Sequence, residues 1–434
     1  MSRFRIVVAS LCLAAMAGIS AAAPLPDLTV IPNSFGVQLK ENNMSPENLD
    51  QIRDLGAKWV RRGFIWTNVE KTAGEYDFSR YDELVKNAHE RGMNVLAGLA
   101  LGNNKLYGSV IEDKGREAYA RYAAAAAAHF KGQNVLFEIW NEPNVRTFWG
   151  SQDTNKDHKH NSEPFAEDYT KLVQATVKEM KQADPNCIVF GGSVSGLWSA
   201  SFSWMDMCFE KGILKSGIDA WSVHPYSTKN PEDYVEAYAT MRASMARHGA
   251  RPDYPVFNTE RGFPLGKAEG YAGGDASKAK EYQAWHIVRQ YLVDRACDIK
   301  FTVWYEWSGK EGFSLIDGNE KLPAYNAAKF MIKQLSGYKF DKRIVLENDR
   351  DFALRFSSTD GDVKIFKIVA WTSPPAGESP DKIVDHDVVL TVDAKGPIDV
   401  FQLYGEKGTI ETKNGNVSLK LTGAPQYLSV KSGR

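Results

Sequence analysis

Two glutamates stand where acid–base chemistry would need them. Glu142 lies in "VLFEIWNEPN", an apolar run from Val135 that turns abruptly polar at Asn141. Glu260 ends a second such run, "YPVFNTE". One carboxyl that donates a proton and one that attacks or stabilises a cation are the two groups needed to break a glycosidic bond. Other polar residues end apolar runs in the same way: Arg61 and Arg62 in "AKWVRRGF", His224 and Tyr226 in "IDAWSVHPY", and Trp304 with Glu306 in "IKFTVWYEW". Glu138 lies four residues before Glu142, inside its run, where it suits pairing with a buried base such as Arg61. Arg61 and Arg62 alternate, so only one of them faces a barrel interior.

These groups need a scaffold that gathers run ends at one place. Eight short apolar runs occur between residues 34 and 336, at 35–39, 57–64, 94–101, 135–140, 187–194, 218–224, 254–260 and 299–307. Helical stretches separate most of them. "SPENLDQIRDLG" carries Ser45 as N-cap and Gly56 as stop, and "EAYARYAAAAAAHF" is rich in the best helix former. This alternation predicts a (β/α)8 barrel, whose functional groups gather at the C-terminal strand ends. A doubly wound sheet is the alternative, but "FGVQLKENN" is no phosphate-binding glycine loop. From Tyr338 onward, short alternating runs between Gly, Asp and Pro clusters predict an antiparallel β-sandwich, with "DLTVIP" (27–32) as an added strand. The expected organisation is a signal peptide over 1–23, a catalytic barrel over 24–337 and an accessory β-domain over 338–434 with a packing role.

"MSRFRIVVASLCLAAMAGISAAAP" has basic residues, an apolar run and small residues at Ala21–Ala23. It reads as a secretory signal, so the expected location is secreted or periplasmic, with no stable membrane insertion after cleavage. A retained anchor is the weaker alternative, because the run is short. The net charge of −1 and pI of about 6.7 give no electrostatic case for nucleic acid. The mature chain keeps Cys187, Cys208 and Cys297, an odd number with no metal-ligand spacing. His158 and His160 lie in a polar loop without a third ligand, so no metal and no cofactor is expected.

"IWNEPN" with the later "NTERG" resembles the retaining glycoside hydrolases of clan A, built on the (β/α)8 barrel. "HPY" at 224–226 and the appended β-domain resemble family 39, which includes β-xylosidases, α-L-iduronidases and hydrolases of biofilm exopolysaccharide. The resemblance implies Glu142 as acid/base and Glu260 as nucleophile, and selects Arg61 as the inward arginine. Many members carry an aromatic residue after the nucleophile; here it is Arg261. The implied substrate is a polysaccharide or oligosaccharide. Asn141 would bind the sugar 2-hydroxyl, His224 the sugar or the nucleophile, and Arg61 and Tyr226 the substrate, while Trp304 would stack on the sugar. Trp66 and Trp149 either extend that platform or belong to the core. The competing functions are an exo-acting glycosidase such as a β-xylosidase and a carbohydrate-binding barrel without catalysis.

Overall fold

A computed structural model describes residues 25–226, 229–361, 363–392, 394 and 396–430. The segment 1–23, expected to be a signal peptide, lies outside them. Eight parallel strands form a closed barrel in sequence order: β1 (Phe35–Gln38), β2 (Trp59–Ile65), β3 (Asn94–Ala100), β4 (Val135–Ile139), β5 (Ile188–Ser195), β6 (Trp221–His224), β7 (Val256–Arg261) and β8 (Phe301–Trp304). All eight coincide with the apolar runs. Among the described helices, the one over Pro46–Leu55 is capped by Ser45, which accepts from the Asn48 amide, and stops at Gly56 with φ of 98°. Only a residue without Cβ takes that left-handed turn at no cost.

Alternation along each strand sorts the side chains into two cores. Trp59, Leu96, Leu136, Phe190, Phe257, Phe301 and Val303 plug the barrel interior. Their neighbours Val60, Phe137, Val189, Val256 and Trp304 point the other way, into the layer shared with the helices. A layer of polar side chains lies above the plug. Arg61, Glu138, Ser222 and Thr259 continue the inward positions of β2, β4, β6 and β7, and all four are buried. The apolar plug closes the barrel below, so this polar layer is the floor of whatever opens at the strand ends.

After the helix Pro323–Leu335 and a short hairpin (β9, Ile316–Asp317; β10, Glu320–Lys321) that precedes it, the chain turns to antiparallel structure. Six strands form one sheet in the order β11-β12-β13-β18-β15-β16. These are Lys339–Ile344, Asp351–Asp360, Val363–Thr372, Gln426–Val430, Ile398–Phe401 and Lys407–Ile410. A two-stranded sheet, β14 (His386–Thr391) with β17 (Asn416–Leu421), packs on it through Leu390, Leu419 and Leu421 against Ile368 and Leu428. This is the expected sandwich, with one small sheet. The segment 27–32 adds only a single bridge, Val30 to Lys339, rather than a full strand. Phe352, Leu354, Trp371, Leu403 and Tyr427 of the β-domain belong to the same apolar cluster as the barrel's outer layer. Cys187, Cys208 and Cys297 are free thiols.

Candidate active site

β4 ends in a turn that its own residues do not favour. Trp140 has φ of 69° and Glu142 φ of 46°, both left-handed without being glycine. Each such residue costs on the order of 1 kcal/mol or more. The turn is held from both sides. The Trp140 amide donates to Leu99 O at 3.1 Å, and the Glu142 amide donates to Ser193 O at 3.1 Å. Asn144 then locks the loop to β5, accepting from the Ser195 amide at 2.9 Å and donating to Ser195 O at 3.0 Å. The strained tip swings Glu142 over the barrel mouth.

Glu260 reaches the same place by a different irregularity. The pairing of β7 with β8 shifts register between Asn258 and Arg261. Asn258 faces the helices, where its amide donates to Asp294 at 2.9 Å, and Thr259 faces inward to Glu138 at 2.6 Å. The shift lets Glu260 share the inner side with Thr259. One oxygen of Glu142, one of Glu260 and a ring nitrogen of His224 all lie within 4.8 Å of one another.

The floor beneath is an ion-pair network. Arg61 Nη1 donates to Glu260 at 2.8 Å and to Gln38 at 2.9 Å; Nη2 donates to Asn141 Oδ1 at 3.1 Å; Nε donates to Glu138 at 2.9 Å. The other oxygen of Glu138 accepts from Ser222 and Thr259, each at 2.6 Å. Burial pushes the Glu138 carboxyl up, but Arg61 and these donors outweigh it and leave it below its ordinary value. Burial likewise opposes the charge on Arg61, and Glu138 with Glu260 overcomes that and raises its pKa. The guanidinium is therefore a fixed cation under the pair.

Tyr226 donates to Glu260 Oε1 at 3.1 Å. Burial first, and then the charge of Glu260, push its phenol well above the ordinary value, so it stays a donor at neutral pH. His224 departs from expectation. It is fully buried and its Nδ1 faces Glu142 Oε1 at 3.0 Å, while Nε2 has no partner among the described residues. It holds the first glutamate rather than the second.

Trp304 is the clear correction. It is 0% exposed, its indole donates to Phe313 O at 3.0 Å, and its ring sits edge-on to His286 in the helix layer. Phe301 and Val303 occupy the inward positions of β8, so Trp304 points outward and presents no face to a sugar. Trp66 and Trp149 are fully buried and belong to the core. Tyr305, one residue on, is partly exposed at the mouth. Glu306 is buried against Lys40 at 2.9 Å; burial raises its pKa and Lys40 opposes the rise. His158 pairs with Asp153 at 2.6 Å and His160 accepts from the Arg146 amide at 3.2 Å, so both fasten their loop. Gln38, Ser222, Thr259 and Asn144 were not singled out from sequence. Inward alternation from Ala220 and Phe257 was the available signal for Ser222 and Thr259.

Comparison with known proteins agrees with the barrel fold. The family model described as "Cellulase (glycosyl hydrolase family 5)" matches residues 29–310. A β-xylosidase of Geobacillus stearothermophilus is 28% identical over 192 residues, which is 37% of this chain and 34% of that protein. The match thus spans about a third of that relative's length. Among solved structures, a family 39 glycoside hydrolase from Bacteroides cellulosilyticus WH2 aligns with a TM-score of 0.72 at 20% identity, covering 94% of this chain and 83% of that one. A monomeric β-xylosidase from Caulobacter crescentus CB15 aligns with a TM-score of 0.62 at 16% identity, covering 92% and 96%. Among the described residues, no helix is long and apolar enough to cross a membrane. All eight barrel strands and both glutamates fall within the matched span, and the chain belongs to the clan A glycosyl hydrolases that the family 5 model describes.

Proposed function

We infer that the protein is a retaining glycoside hydrolase that cleaves a polysaccharide outside the cytoplasm through Glu142 and Glu260. The observation that carries this reading is that one oxygen of Glu142 and one of Glu260 lie within 4.8 Å of each other. A retaining pair is separated by about 5 Å, whereas inversion leaves roughly 6.5–9.5 Å for a water. The signal-like N-terminus supports export, and the family match supports a carbohydrate substrate.

The surroundings divide the labour. Glu260 accepts from Arg61 and Tyr226, so its ionised form is held ready and aimed. Glu142 has no cation against it among the described residues unless His224 is protonated. It begins as the acid and gives its proton to the leaving oxygen while Glu260 attacks the anomeric carbon. The new ester removes the charge on Glu260. Glu142 then takes a proton from water, which displaces Glu260 and restores both groups. Asn141 is oriented by Arg61 at its Oδ1, and its amide nitrogen donates to the sugar 2-hydroxyl.

A carbohydrate-binding barrel without catalysis has no need for two facing carboxylates over a buried cation. An exo-acting β-xylosidase is the second reading, supported by the β-xylosidase relatives. Digestion of a panel of purified polysaccharides, xylan among them, with product masses read by mass spectrometry, tests both. Oligosaccharides released by the wild type and not by Glu260→Gln support the first reading; single pentoses alone support the second. No difference between the two proteins on any substrate would contradict both.

A further inference from the structure

The end of β6 and the turn after it carry two residues that touch the glutamates, His224 and Tyr226, and from Asn230 the chain is fastened into the β-domain. Asn230 donates to Glu378 O at 2.6 Å. Glu232, 2% exposed, takes two donors of Arg289, Nε at 2.7 Å and Nη2 at 2.6 Å, and the indole N–H of Trp371 at 2.7 Å. Asp233 pairs with Arg350 at 2.9 Å. Arg289 comes from the helix Ala276–Ala296; Trp371, Arg350 and Glu378 come from the β-domain. Trp371 is itself fully buried and stacks on Phe352 at 5.2 Å.

A second link runs back to the site. Arg261 follows Glu260 directly; its Nε donates to Tyr234 at 2.6 Å and its guanidinium lies over the Tyr226 ring at 5.0 Å. Both ends of the loop therefore bear on the residue next to Glu260. We propose that Trp371 and Arg289, acting through Glu232, are positioning residues: they seat the segment 230–234, and through Tyr234 and Arg261 they set how His224 and Tyr226 meet Glu142 and Glu260. This goes beyond the packing role read from the strand pattern alone.

The physical case rests on cost. A carboxylate as deeply buried as Glu232 is stable only with its donors in place, and removing one strands a charge. Burial raises that carboxyl, and Arg289 with Trp371 outweighs it to leave the group ionised. The segment 230–233 therefore has one well-determined seat rather than several. The assignment of a reacting pair comes from the preceding reading, but the test needs no substrate, so the two stand or fall separately.

Trp371→Phe keeps the ring and deletes only the donor. In the full chain, amide exchange over residues 221–235 is expected to rise about tenfold, and the ring-nitrogen resonances of His224, in protein labelled at histidine, to move. A merely structural indole would lower the melting temperature and loosen β13 while leaving the His224 resonances and the 221–235 exchange unchanged; that result would overturn the proposal. Should Trp371→Phe not fold, Arg289→Lys keeps the charge beside Glu232 and removes the paired donors, and the same two readouts decide it in the same way.

Discussion

Arg61 and Glu138 form an ion pair beneath the candidate site, 2.8 Å apart, with side-chain exposures of 5% and 0%. Both are inward residues of their strands, one layer above the apolar plug of the barrel. The same guanidinium that satisfies Glu138 reaches up to Glu260 at 2.8 Å. Structure and chemistry thus share one cation. Arg61→Met would leave Glu138 charged and uncompensated, a loss of about 3–5 kcal/mol for a broken buried pair. Urea denaturation at pH 7 should show a loss of that size, and a change below about 1 kcal/mol would contradict the network.

Tyr226→Phe removes one donor to Glu260 and leaves the ring under Arg261. A hydrogen bond to a charged group is worth about 1.5–3 kcal/mol. The expected outcome is a fall of about 10- to 100-fold in kcat/KM on a substrate that the wild type cleaves, with a melting temperature close to wild type. Equal kcat/KM in the two proteins would show that the phenol does not steady Glu260.

Asp294 provides a pH test away from the site. Burial raises its carboxyl to about 6, against the opposing donors Thr302, Asn258 and Tyr238. A folded-state pKa above the unfolded value of 3.8 means the folded chain binds the proton more tightly. The destabilisation is fully present above about pH 6 and is relieved as the pH falls through 6 towards 3.8. It is on the order of 3 kcal/mol for a shift of this size. The stability difference between wild type and Asp294→Asn should therefore change between pH 7.5 and 4.5 in favour of the wild type at the acid end. A difference independent of pH would show that Asp294 titrates normally.

How far the site was legible depended on the kind of constraint. The strands and both glutamates showed in the chain because alternating apolar runs and abrupt polar ends are local patterns. Arg61 was separated from Arg62 only by resemblance, although alternation from Trp59 points the same way. Trp304 was misplaced because its type suggested stacking, while the inward positions of Phe301 and Val303 already assign it to the helix layer. The pairing of His224 with Glu142 and of Tyr226 with Glu260 was not legible. It depends on the left-handed turn at Glu142 and the register shift in β7, and no local pattern encodes either. The anchoring of the β6 loop by Trp371 joins residues more than a hundred positions apart, 139 between Glu232 and Trp371, which only the folded chain reveals.

Azide separates the two glutamates. With an aryl glycoside that leaves unaided, Glu142→Ala should still form the glycosyl-enzyme and then stall for want of a base. Azide fits the vacated space and should restore turnover, giving a glycosyl azide of retained configuration. Glu260→Ala should give the inverted azide, because attack then comes from the nucleophile's side without a covalent intermediate. The opposite pairing would exchange the two roles.

The central claim is that Glu142 and Glu260 act by double displacement. Proton NMR of the wild-type reaction, recorded before the released sugar mutarotates, reads it most directly. The account predicts that the first anomer to appear has the configuration of the bond that was cleaved. First appearance of the opposite anomer would show single displacement by water and contradict the account.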